Sequence, residues 1–314
     1  GSSPSVRTTA TSHGEAARHD GSPSGSRYPA PVTDTAVLLL SCPDQTGVVA
    51  TVADFVWRNG GNIIDAEQHT DHTDGVFFQR IEFTLAEFVF ARDRLAAAFA
   101  PIAERFDMHV DVRYSADRPR LAILASRAPH CLVDLLARWS AGELPADLAV
   151  IVSNHPDHAD LAGFYGIPFA HLPVESNDGA QELRVRAVLE SERVERLVLA
   201  RYMRILSPEF VDAYPGRIIN IHHSFLPAFV GAEPYRQASE RGVKVIGATA
   251  HYVTADLDEG PIIEQDVTRV SHRHSVEDLA RAGRDLEVAV LARAVRADLE
   301  HRVLVWGNRT IVFH

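Results

Sequence analysis

Cysteine is scarce in this chain of 314 residues: there are two, Cys42 and Cys131. They fall in segments that read as separate domains, which argues against a disulfide framework and for a reducing compartment. No apolar run approaches the ~20 residues that span a bilayer. The N-terminus also lacks the apolar core of a signal peptide, so no membrane partner is expected and the cytoplasm is the expected location. Positive charge is in deficit too. With 31 Lys+Arg against 42 Asp+Glu the formal charge is −11, mixed along the chain rather than gathered into a basic stripe, which speaks against nucleic acid as a partner. What is present in quantity is apolar material, 46%, enough for two domains with a core each.

Residues 1–33 are rich in Gly, Ser, Pro, Ala and Thr and hold almost nothing large enough to bury; they read as a disordered tail. From Asp34 the texture changes. AVLLLSC is a buried-strand run ended by Pro43-Asp44-Gln45-Thr46-Gly47, and Val48, Val49, Val52, Phe55 and Val56 follow at helical spacing up to the stop Asn59-Gly60-Gly61-Asn62. Strands at 63–69 and 76–85, a helix over 92–106 and a strand over 108–114 complete a βαββαβ order, a small sheet with two helices on one face. On Cys42–Gly47 and Gly61-Asn62-Ile63 this stretch, 34–114, resembles an ACT domain, a module that senses amino acids. The resemblance implies that Asp44, Gly47 and Asn62 either hold a small effector, glycine or methionine, between paired subunits or simply shape a turn and caps. It also implies a homodimer or homotetramer.

After the polar, proline-bearing linker 115–120, apolar strand runs alternate with helical patterns, the order that a parallel sheet requires because each crossover needs a helix. Ser207-Pro208 and Ser275 with Asp278 offer helix N-caps. VLVWGNRTIVF reads as a hairpin about Gly307-Asn308 that finishes the sheet or covers its edge. The chemistry concentrates in 217–263. A buried strand over 217–221 leads into Asn220, His222, His223 and Ser224, and strand ends are where α/β sheets carry their sites. Residues two apart share a strand face, so Asn220 and His222 can meet in one cleft while His223 points elsewhere. The loop after ATAHYVT adds Asp256, Asp258 and Glu259, among which the pattern alone does not choose.

With Asn220-Ile221-His222, Leu257-Asp258-Glu259-Gly260 placed 38 residues on, and Met203-Arg204-Ile205-Leu206, residues 120–314 resemble the formyltransferase-like folate enzymes. That resemblance implies an α/β fold, a Rossmann-like and mostly parallel catalytic sheet behind the ferredoxin-like βαββαβ module. It implies Asn220, His222 and Asp258 as the catalytic trio and a folate pocket lined by Met203, Arg204, Ile205 and Leu206 with Val253, Thr254 and the loop up to Asp258. His223-Ser224 stands where amine-formylating relatives usually carry Pro, and Ser126–Cys131 lacks a glycine-rich phosphate cradle. Together with the ACT-like module these features resemble the formyltetrahydrofolate deformylase family. The implied reaction is hydrolysis of 10-formyltetrahydrofolate to formate and tetrahydrofolate, supplying formate for purine biosynthesis, with folate as substrate and no separate cofactor. The alternatives are formyl transfer to an amine acceptor and a non-catalytic amino-acid or folate sensor. The acidic Glu233 in Gly231–Tyr235 and the Ala128-Pro129 pair depart from expectation. His130 is expected either to line the water pocket or to cap a helix. His69–His72, Asn154–His158 and His272–His274 lack a third and fourth ligand at a zinc spacing, so no metal is expected.

Overall fold

The computed structural model describes Gly1 and residues 34–174, 179–228 and 234–314; the expected tail over 1–33 and most of the Gly231–Tyr235 departure lie outside them. The N-terminal module runs β1 (Thr35–Pro43), α1 (Val48–Arg58), β2 (Ile63–Asp71), β3 (Val76–Thr84), α2 (Arg92–Phe106) and β4 (His109–Tyr114). Its strands pair in the order β2-β3-β1-β4, all antiparallel. Alternation along β1 explains the packing. Leu38 and Leu40 face a core with Val52, Phe55 and Phe99 of the two helices, while Val37 and Leu39 face the other way and are also buried.

The second part runs β5 (Arg120–Ala125), α3 (His130–Ser140), β6 (Asp147–Ser153), α4 (Ala159–Tyr165), β7 (Phe169–His171), α5 (Ala180–Ser191), β8 (Arg196–Ala200), α6 (Pro208–Asp212), β9 (Ile218–His222), α7 (Pro234–Arg241), β10 (Val245–Tyr252), β11 (Ile262–Arg269) and α8 (Val276–Leu299). Its seven strands lie in the order β11-β10-β9-β8-β5-β6-β7. Pairing is parallel from β7 to β9, and β10 runs antiparallel to both neighbours. One face packs on α3 and α8 through Leu132, Leu135, Leu291 and Val295, the other on α5 and α6 through Val185, Leu189 and Phe210. Both expected caps form. Ser207 Oγ accepts from the Phe210 amide at 3.2 Å, and Ser275 with Asp278 makes a reciprocal capping box ahead of α8. No helix among the described residues is long and apolar enough to cross a membrane.

The C-terminal hairpin, β12 (Val303–Trp306) and β13 (Arg309–Val312), lies against the edge of the large sheet, the second of its two expected places. It forms its own two-stranded sheet rather than extending the large one. Thr310 donates to the Ile262 carbonyl of the edge strand β11. The hairpin also reaches the N-terminal sheet, where Leu304 and Phe313 bury against Val37, Leu39, Val76 and Phe78. The second face of the N-terminal sheet is apolar because this hairpin covers it.

Candidate active site

Strand β9 is buried except for Asn220, which is half-buried, and it ends on His222. Opposite it in antiparallel register lies β10, with Asn220 facing His251 and His222 facing Thr249. Period-two alternation therefore sends Asn220, His222 and His251 toward one cleft at the end of the sheet. The loop after β10 returns Asp258 to the same place. Two backbone features make that return possible. Asp258 adopts a left-handed φ of 57°, which Asp tolerates better than most residues. Gly260 passes so close to the chain that a Cβ there would sit 1.8 Å from the Tyr252 carbonyl oxygen, which gives the glycine of Leu257–Gly260 a steric reason.

Hydrogen-bond inventory then assigns the protons. His222 Nδ1 lies 3.2 Å from Asp258 Oδ2. A carboxylate only accepts, so Nδ1 carries hydrogen and the neutral ring keeps its lone pair on Nε2. That Nε2 is buried and has no hydrogen-bond partner among the described residues. His251 Nδ1 donates to the Tyr252 carbonyl at 2.9 Å, which leaves its Nε2 to accept from Asn220 Nδ2 at 3.3 Å. The Asn220 amide is thereby oriented, and its second N–H has no acceptor among the described residues. Burial alone raises the Asp258 pKa, but the hydrogen bond from His222 and the proximity of His251, whose Nε2 stands 3.7 Å from Oδ1, outweigh it and hold the carboxyl well below the usual range. Asp258 stays ionised and acts as acceptor and orienter.

These groups line a cavity of about 380 Å³, an ordinary size for a small-molecule site. One wall is the loop after β8. Met203 and Ile205, 60% and 73% exposed, stand there with Arg204 and Leu206, and Ser126 fixes the loop by accepting from the Met203 amide at 3.1 Å while donating to Asn154 Oδ1 at 2.7 Å. Val253, Thr254 and the chain through Asp258 form the opposite wall. A larger cavity, about 920 Å³, lies between β4, the linker and the C-terminal hairpin. Its lining mixes arginines with carboxylates and includes none of the motif residues, so chemistry and volume point to different places and the chemistry selects the smaller one.

Several residues fall elsewhere than expected. His223 lines the same cavity, because β9 ends at His222 and strict alternation no longer governs the next residue. Burial, then the charges of Arg201 and His222, lowers its pKa to about 4, so it is neutral near pH 7. His130 is not among the lining residues; its Nε2 meets the buried Glu287 Oε2 at 2.8 Å. Asp44, Gly47 and Asn62 are exposed, with α1, about 16 Å of helix, between the first two and the third. Sequence reasoning missed His251, Arg201 and Glu287. For His251 the signal was a polar residue inside the otherwise apolar ATAHYVT run; for the others, distant contacts had to be known. Among the described residues His130, Cys131 and Glu287 place possible metal ligands within 4.8 Å of one another. Arg201 and the Tyr235 hydroxyl already engage that carboxylate, and burial, then the Glu287 charge, pushes the Cys131 thiol far up, which makes this a poor donor set. Of the other histidines weighed as ligands, His158 is bonded to the Ser126 carbonyl and His274 accepts from the Ser271 amide.

Residues 119–295 match the Formyl transferase family. Over 280 residues the chain is 54% identical to the formyltetrahydrofolate deformylase of Synechocystis sp., covering 89% of this chain and 98% of that protein. It is 50% identical to the Bacillus subtilis deformylase, over 90% and 94% of the two chains. The crystal structure of a formyltetrahydrofolate deformylase from Pseudomonas syringae superposes with a TM-score of 0.87 at 48% identity, over 90% of this chain and 96% of that one.

Proposed function

The chain belongs to the formyltetrahydrofolate deformylase family, and we propose that it hydrolyses 10-formyltetrahydrofolate to formate and tetrahydrofolate with Asn220, His222 and Asp258. The observation that carries this reading is the state of His222: Nδ1 is tied to an ionised carboxylate while Nε2 is buried and, among the described residues, finds no partner. The lone pair on an unprotonated ring nitrogen can accept a proton from water or substrate.

In this scheme the pterin packs against Met203, Arg204, Ile205, Leu206, Val253 and Thr254, the apolar members of which keep bulk water out. His222 Nε2 removes a proton from one water as its oxygen attacks the formyl carbon, general base catalysis that contributes on the order of 10²–10⁴ in rate. Asp258 holds the ring in the productive tautomer and stabilises the imidazolium. The second N–H of Asn220 donates to the formyl oxygen as it becomes an oxyanion. When the carbon–nitrogen bond breaks, His222 returns its proton to N10 and formate remains. We read the N-terminal module as regulatory: its unpaired edges at β2 and β4 support pairing with a second copy, and Asp44, Gly47 and Asn62 are the residues through which an amino-acid effector would act.

Turnover in water enriched in oxygen-18, with no amine present, tests the reaction. Formate carrying one labelled oxygen is expected. Absence of formate until an amine is added would assign the chemistry to formyl transfer instead.

A further inference from the structure

Arg201 takes no part in the steps above, yet the chain holds it against resistance. It follows β8 with a φ of 59°, a left-handed conformation that glycine adopts freely and other side chains do not. Its counter-ion Glu287 is 1% exposed. Arg201 Nε lies 3.3 Å from Glu287 Oε2, His130 Nε2 reaches the same oxygen at 2.8 Å, and the Tyr235 hydroxyl donates to Oε1 at 2.7 Å. Gly283, one helical turn before Glu287, admits that tyrosine, since a Cβ there would stand 2.0 Å from its hydroxyl. The carboxylate is thus saturated and the guanidinium is not. Arg201 Nε is not aligned for a hydrogen bond, and among the described residues none engages its other N–H groups.

Register places this open donor set beside the chemistry. Leu199 of β8 pairs in parallel with Asn220 of β9, so the end of β8, which Arg201 follows, and the end of β9, which is His222, belong to neighbouring strands, whose spacing is roughly 4.8 Å. Both residues line the same cavity. We propose that Arg201, held by Glu287, binds the formate produced here, its planar fork of N–H donors engaging both oxygens of the small carboxylate. This rests on the hydrolytic reading. As the carbon–nitrogen bond breaks, the formyl carbon keeps its own oxygen and the one from water. One water proton goes through His222 to N10, the other is lost to solvent, and the charge is shared between two oxygens that the second N–H of Asn220 alone cannot satisfy.

The test is a titration with carbon-13 formate followed by NMR, alongside steady-state kinetics, on the full-length wild type, Arg201→Gly and Arg201→Lys. Arg201→Gly relaxes the backbone and is expected to bind formate at least tenfold more weakly, to lose product inhibition by formate, and to lower kcat about 10²-fold with little change in KM. Arg201→Lys keeps the charge without the fork and is expected to fall between. A folded Arg201→Gly with wild-type formate affinity and kcat overturns the proposal; should that variant melt early, wild-type formate affinity in Arg201→Lys overturns it equally. Formate binding needs no turnover, so a wild type that released no formate would count against the hydrolytic reading and leave this result separately readable.

Discussion

Two nearly buried arginines set the halves of the molecule apart. Arg80, on β3 of the N-terminal sheet, has its side chain 6% exposed and every arm engaged: Nη1 donates to Asp65 at 2.5 Å, Nη2 to Glu82 at 2.7 Å and Nε to the His301 carbonyl at 3.1 Å. Arg201, at the end of a strand in the large sheet, is 16% exposed, paired in charge with Glu287 and otherwise open. Histidine repeats the pattern in the cleft, since His222 Nε2 and His223 Nδ1 are buried without a partner among the described residues. Buried polar groups normally find partners, because an unmade hydrogen bond costs about 1–3 kcal/mol. A satisfied network ties a fold together; a cluster left open around one cavity is arranged for something that arrives.

Outside the proton-moving pair His222 and Asp258, the largest effect that would sharpen this contrast comes from Asn220→Ala. Loss of one oxyanion donor is expected to lower kcat about 10²–10³-fold, roughly 3–4 kcal/mol of barrier, with the melting temperature little changed. Arg80→Ala should do the reverse. Stranding Glu82 and Asp65 is expected to cost about 2–3 kcal/mol of stability, below the figure for a fully buried pair because Asp65 is half exposed, while kcat per folded molecule stays within a few-fold of wild type. Equal activity losses in the two variants would break the comparison.

Acid gives a smaller, directional effect. The folded-state pKa of Asp258 is depressed below its ordinary 3.8, so its contribution to stability is complete above about pH 4 and fades as pH falls toward the folded value. The stability gap between wild type and Asp258→Asn should therefore be widest near neutrality and close on acidification. A gap that widened in acid would mean that the carboxyl is protonated in the folded protein. The smallest effect is expected from Asn62→Ala: hydrolysis without effector within about twofold of wild type, since Asn62 is exposed and does not line the cleft.

How much of this was legible in the sequence follows from the range of each interaction. The AVLLLSC strand, the helix over 92–106 and the caps at Ser207 and Ser275 depend on neighbours within a few residues and stand in the chain as written. The Asn220 and His222 pair was legible because strand parity is local, and parity misdirected His223 because the strand ends one residue sooner. His130 and Glu287 lie 157 residues apart, and nothing in either neighbourhood announces the other. The hairpin's contact with the N-terminal sheet was hidden for the same reason: Leu304 and Phe313 look apolar in sequence, but only the folded topology shows that they cover Val37 and Leu39.

The most direct test is formate release from 10-formyltetrahydrofolate in buffer free of amines, comparing wild type with His222→Ala and Asp258→Ala at matched folded fraction. The account predicts steady release by the wild type and a loss of about 10²–10⁴-fold in kcat for each variant. Release that survived His222→Ala at the wild-type rate would contradict it, because His222 Nε2 would then not be the group that moves the proton.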